Sequence, residues 1–123
     1  MRRFWFCVII LLIPLSSFAA VSYTLQNAAT ANSNGSSATV NNPGDVGLTV
    51  TITGKATVNF EGSIDAQVSW SAIACRPTGG SPAVTFTKTS QQFICHFPGL
   101  SHLRTPIIDY QSGTVTVKAN SQE

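Results

Sequence analysis

Charge is what this chain has least of. Its 123 residues carry seven Lys and Arg against five Asp and Glu. Nucleic acid is held by clustered cations on its phosphates, so a few scattered ones argue against it as a partner, and equally against an anionic membrane surface. Histidine occurs only as His96 and His102, and no Gly-x-Ser-x-Gly elbow is present, which leaves a serine-type relay without its usual frame. The one long apolar run, Phe4 to Leu15, is broken by Pro14 and falls short of the roughly 20 residues that span a bilayer. Nothing after it repeats at the helical period, so an all-helical domain is excluded as well.

That apolar run instead has the layout of an export signal. Arg2 and Arg3 precede it, and Ser17-Phe18-Ala19 follows with small residues at the two cleavage-determining positions. The expected organisation is a signal peptide over 1–19 and one domain over 20–123, with a secreted or periplasmic destination. Once the signal is gone, Lys55, Arg76, Lys88, Arg104 and Lys118 balance Asp45, Glu61, Asp65, Asp109 and Glu123. Of the three cysteines, Cys7 leaves with the signal. Cys75 and Cys95 remain, and an even count in an exported chain reads as a disulfide. Metal ligation is disfavoured: the spacing matches no paired-thiolate pattern, and His96 follows Cys95 on a predicted strand, hence on the opposite face.

The rest of the chain alternates with period two. Val46, Leu48, Val50 and Ile52 share one face and the threonines the other. Gly54-Lys55 then predicts a hairpin turn with Gly at positive φ, returning along Ala56, Val58 and Phe60. Gly62 to Asp65 reads as a turn, after which Val68 and Trp70 are expected to face the core. Phe93, Cys95 and Phe97 share a face that would bring Cys95 to Cys75. Val115, Val117 and Ala119 point inward on the last strand. Thr30 to Pro43 is polar and reads as a loop, and Asn34-Gly35 within it as a turn rather than a glycosylation site. Seven or eight short strands with turns every 8 to 12 residues predict an antiparallel two-sheet β-sandwich, immunoglobulin-like or jelly-roll-like. Phe60, Trp70, Phe93 and Phe97 are its expected aromatic core.

Three stretches together carry a resemblance: FEGSIDAQVSW from Phe60, GLSHLR from Gly99 and YQSGTVTVKANS from Tyr110. They resemble a small β-sandwich module of tailed-phage and prophage structural proteins, with a pattern similar to FEGSxDGxxW, GLSxxRV and YTSGTVTV. The turn-plus-Trp element is also similar to part of discoidin-type carbohydrate-binding sandwiches. The resemblance covers about Tyr23 to Ser121 and implies a binding or display module. Ala66 stands where the pattern has Gly, and the cysteine pair and export signal are additions to it.

No residue set reads as catalytic. Glu61, Asp65 and Asp109 are the carboxylates near turns, but nothing in the sequence holds two of them at the 5–10 Å that glycoside hydrolysis needs. Asp65 is expected to cap its own turn, and Arg104 to pair with Asp109 or hold a ligand carboxylate or hydroxyl. Asp65, Arg104 and Asp109 are thus the candidate binding residues, with no cofactor or metal expected. The expected function is a non-enzymatic exported module for surface recognition or adhesion, with a glycan or a surface protein as partner. The alternative is an oligomerising subunit of a phage-like fibre or coat.

Overall fold

Alternating β-branched residues and frequent turns fold into strands, and no helix occurs among the described residues. The computed structural model describes residues 20–40, 45–96 and 98–122. The predicted signal peptide and Phe97 therefore lie outside the described residues. Twelve short strands follow one another: β1 (Ala20–Ala29), β2 (Ser37–Thr39), β3 (Asp45–Ile52), β4 (Lys55–Asn59), β5 (Glu61–Ser63) and β6 (Ser71–Ala72), then β7 (Arg76–Pro77), β8 (Phe86–Thr87), β9 (Gln91–His96), β10 (His102–Arg104), β11 (Ile107–Ser112) and β12 (Val115–Gln122). The all-β antiparallel class is as expected. The number of strands is larger, because bends and bulges divide long extended stretches into short ladders.

One layer is a five-stranded sheet in the order β1-β12-β3-β9-β7. The other comprises a four-stranded sheet, β2-β10-β5-β6, and a three-stranded sheet, β11-β4-β8. Between them lie Phe60, Phe93, Leu48, Leu103, Val58, Ile107, Val115 and Val117, all buried. The Phe60 and Phe93 rings are tilted against each other with centroids 4.8 Å apart. Burying each contributes about 1.5–3 kcal/mol. The Cys75–Cys95 disulfide is formed, and both cysteines are buried in the same core.

The predicted hairpin at Gly54-Lys55 is not one. β3 pairs with β12 and β9, whereas β4 pairs with β11 and β8, so the two strands belong to different sheets. Chain 45–63 instead runs as one bent strand against chain 102–122. Ile52 faces Val115, and beyond the bend Lys55 faces Ser112 without any change of register. Corners of this kind let a strand pass from one sheet to the other. Gly54 does not have positive φ; it is there because a Cβ would come within 2.2 Å of the Ser112 carbonyl oxygen. Gly113, opposite, has φ +82° and its own Cβ would meet Gly54 at 2.5 Å.

Two more expectations change. Val68 is 80% exposed and Trp70 only half-buried, so neither joins the core. The turn before them carries positive φ at both Ala66 and Gln67, which breaks the alternation that had placed them inward. The polar stretch after Thr30 contains β2, whose Ala38 is buried together with the following Val40. It is held by pairing of β2 with β10 and by Gln26, whose buried amide donates to the carbonyls of Ser33 and Thr105.

Candidate functional site

The three-stranded sheet presents its outer face to solvent. Ile107, Val58 and Thr87 point into the core, so their neighbours Ile108, Thr57 and Phe86 lie on the outer side, with Ile108 and Phe86 exposed and Thr57 between them only 6% exposed. Phe86 is 47% and Ile108 40% exposed, and they stand on opposite sides of the central strand β4. Phe86 stands opposite Asn59 and Ile108 opposite Thr57, and Lys88 and Asp109 complete a cleft of about 230 Å³ with them.

A bulge gives this face its relief. Between the pairs Ile108–Thr57 and Ser112–Lys55, β11 carries Asp109, Tyr110 and Gln111 against the single residue Ala56 of β4. The bulge turns through Asp109, whose backbone is left-handed at φ 55°. It is pinned at Tyr110, which donates its N–H to the Asn32 side chain at 2.8 Å and its O–H to the Gly113 carbonyl at 2.7 Å. Bulges characteristically re-aim a side chain at the rim of a sheet. Here Asp109 and Gln111 face Lys55, Thr57 and Lys88 across a second cleft of about 300 Å³ that continues the first.

The other candidate residues lie elsewhere. Asp65 caps the turn after β5, as expected: its carboxylate accepts from the Ser69 N–H at 2.9 Å, the Ser69 hydroxyl at 2.6 Å and the Ser63 hydroxyl at 2.8 Å. The bonds from Ser69, followed by that from Ser63, hold its pKa down to about 2 from the ordinary 3.8. It lines an apolar cleft of about 440 Å³ with Ile64, Ile73, Pro98 and Leu100. Arg104 pairs with Glu61 at 2.8 Å, not with Asp109, because β10 runs beside β5 and sets the two residues directly opposite. The guanidinium also lies 4.3 Å from the centre of the Trp70 ring. Trp70 is thereby the floor of an ion pair on the sheet surface, a cation–π arrangement. Asp65, Arg104 and Asp109 are not gathered into one site.

The whole fold has solved counterparts. The SPBc2 prophage-derived protein YomS superposes with a TM-score of 0.78 and 18% identity over 90% of this chain and 99% of its own. The PBSX exported protein XepA gives 0.80 and 17% identity over 89% of this chain, which spans 40% of that protein's length. The sequence itself matches no family of known proteins and no curated protein. The fold is therefore shared with a prophage-derived protein, which is consistent with the phage-like module that the resemblance implied.

XepA is an exported protein by name. The buried Cys75–Cys95 disulfide of this chain suits an oxidising compartment. Of the outer-face residues, the sequence offered Asp109 as a candidate binding residue and placed Thr57 and Asn59 on an outward polar face, but gave no sign of Phe86, Lys88, Ile108 or Gln111 beside them. The signal that could have revealed the bulge is the doublet Ile107-Ile108, which a regular half-buried strand does not contain.

Proposed function

We propose that this chain is an exported, non-catalytic recognition module of prophage type, which binds a glycan or a protein on a cell or particle surface. The observation that carries the reading is the likeness of its fold to the SPBc2 prophage-derived protein YomS over 90% of this chain and 99% of that one, and to the exported protein XepA over 40% of that protein's length. A sandwich closed by a disulfide suits display outside the cytoplasm, where oxidising conditions keep the bridge formed. The partners fit the surface: hydroxyl-bearing sheet faces such as Thr49, Thr51, Thr114 and Thr116, with isolated exposed apolar residues beside them.

The test uses protein recovered from export in a bacterial host, mixed with isolated cell envelopes and with phage particles, and measures the fraction that co-sediments. Saturable retention on either supports the reading. Recovery of all the protein in the supernatant at micromolar concentration overturns it.

A second reading, as a subunit of a fibre or coat, is favoured by β1. This ten-residue strand pairs with β12 on one side only and forms the edge of its sheet. Register shifts between Thr24 and Gln26 and between Gln26 and Ala29 interrupt that edge, which leaves a shorter regular stretch for pairing. A sedimentation profile that stays monomeric at high concentration rejects this second role.

A further inference from the structure

The outer face of the β11-β4-β8 sheet combines features that a plain solvent face does not need. Phe86 and Ile108 flank a central strand whose Thr57 and Asn59 form the floor, and the two clefts join along Thr57, Lys88 and Asp109. The bulge that delivers Asp109 holds a non-glycine residue in the left-handed region and is fixed by two hydrogen bonds from Tyr110. A conformation that departs from the regular ladder, and that the surroundings hold rigid, points to a task for the side chain so placed.

The charges on this face are also uncommitted. Among the described residues Arg104 forms an ion pair with Glu61, Asp45 is hydrogen-bonded by the His96 ring, and Asp65 is engaged by serine hydroxyls and an N–H. Asp109, Lys55 and Lys88 line one cleft, yet among the described residues none of them enters an ion pair. Two ammonium groups against one carboxylate leave the cleft with an excess positive charge, so its complement carries a negative one.

We propose that this cleft binds an acidic saccharide. A pyranose fits the chemistry of each wall. Its apolar C–H face lies on the exposed Phe86 ring, its hydroxyls donate to Asp109 and meet the Asn59 and Gln111 amides, and its carboxylate reaches Lys88 and Lys55. This assignment rests on the recognition reading above and gives it a ligand class and a place.

The experiment titrates the exported protein by calorimetry with polygalacturonate, with dextran as the neutral counterpart and with polyglutamate as an anion that lacks sugar rings. Phe86→Ala and Asp109→Asn are compared with Gly79→Ala, in the exposed loop after β7, where the added methyl meets nothing. Saturable binding of polygalacturonate, weakened about tenfold or more by each of the two cleft substitutions and unchanged in Gly79→Ala, is the expected result. Thermal melts confirm that the variants fold, and a chemical-shift map of the wild type locates the contact without mutation.

Equal binding of polyglutamate overturns the saccharide assignment, since charge alone then suffices. Absence of polygalacturonate binding, or binding that survives both cleft substitutions, overturns the site. If the protein still co-sediments with envelopes in that case, recognition stands and only this cleft is wrong. If it does not, both fall.

Discussion

Replacing Gly54 by alanine tests the corner on which the two-layer arrangement depends. The added Cβ would lie 2.2 Å from the Ser112 carbonyl oxygen, 2.5 Å from its carbon and 2.8 Å from the Gly113 Cα, all of them backbone atoms. No side chain can swing away, so the bent ribbon itself must open. Overpacking of that kind costs about 1–3 kcal/mol, with this rigid case toward the upper end. For a domain near 100 residues each kcal/mol lowers Tm by about 4–8 °C, which gives a loss of roughly 8–24 °C for about 2–3 kcal/mol. Gly79→Ala is the control, because its Cβ would meet nothing within 4 Å, and a change within about 0.5 kcal/mol is expected there. Urea unfolding and thermal melts provide the measurement. Gly54→Asn makes the test decisive. A hairpin turn that needed positive φ would tolerate asparagine well, whereas a corner limited by space would not. Wild-type stability in Gly54→Asn would refute the corner and restore the hairpin.

Other outcomes can be stated more briefly. Reducing the Cys75–Cys95 bridge opens a loop of sequence separation 20 and should remove about 3 kcal/mol, read as a fall in Tm of more than about 10 °C; an unchanged melt under reductant contradicts it. The Asp65 carboxyl has a folded pKa of about 2 against an ordinary 3.8. Its anion is therefore better held in the folded state, and that stabilisation is complete above about 3.8 and disappears as pH falls toward 2. Asp65→Asn should thus melt below wild type at pH 7, with the gap closing near pH 2; a gap that does not vary with pH rejects the capping role. Arg104→Ala uncovers the Trp70 ring and leaves Glu61 without its partner, at a cost of about 1–2 kcal/mol. Trp70 is the one tryptophan in residues 20–123, so its emission should shift to longer wavelength, and an unchanged spectrum argues against the stacking.

Period-two alternation made the inward faces of β3, β9 and β12 legible, since burial of one face of a strand needs only local spacing. Val46, Leu48, Val50, Phe93, Val115, Val117 and Ala119 are all buried as expected, and Phe60 with them. The cysteine pairing was legible from the count, since two cysteines remain after the export signal, and alternation added that Cys95 shares the inward face of Phe93. Trp70 and Val68 were misplaced because alternation was carried across a turn. The left-handed residues Ala66 and Gln67 rotate the chain there, and neither is a residue type that announces positive φ. The Arg104 partner was missed because it depends on which strand lies beside β10, and strand adjacency is not a local property.

Composition and spacing alone determined that this chain is an antiparallel β-sandwich with one disulfide. Hydrophobic burial and the two-residue repeat act over a few neighbours, and they act the same way wherever the strand ends up. Tertiary structure decided what those strands build. Only the closeness of Gly54 to Gly113 across the ribbon turns an apparent hairpin into a corner between sheets. Only the mismatch of three residues against one along β4 raises the bulge that carries Asp109 to Lys55 and Lys88. Both follow from contacts between chain segments more than fifty residues apart, where excluded volume and ladder register, rather than local preference, set the shape of the surface.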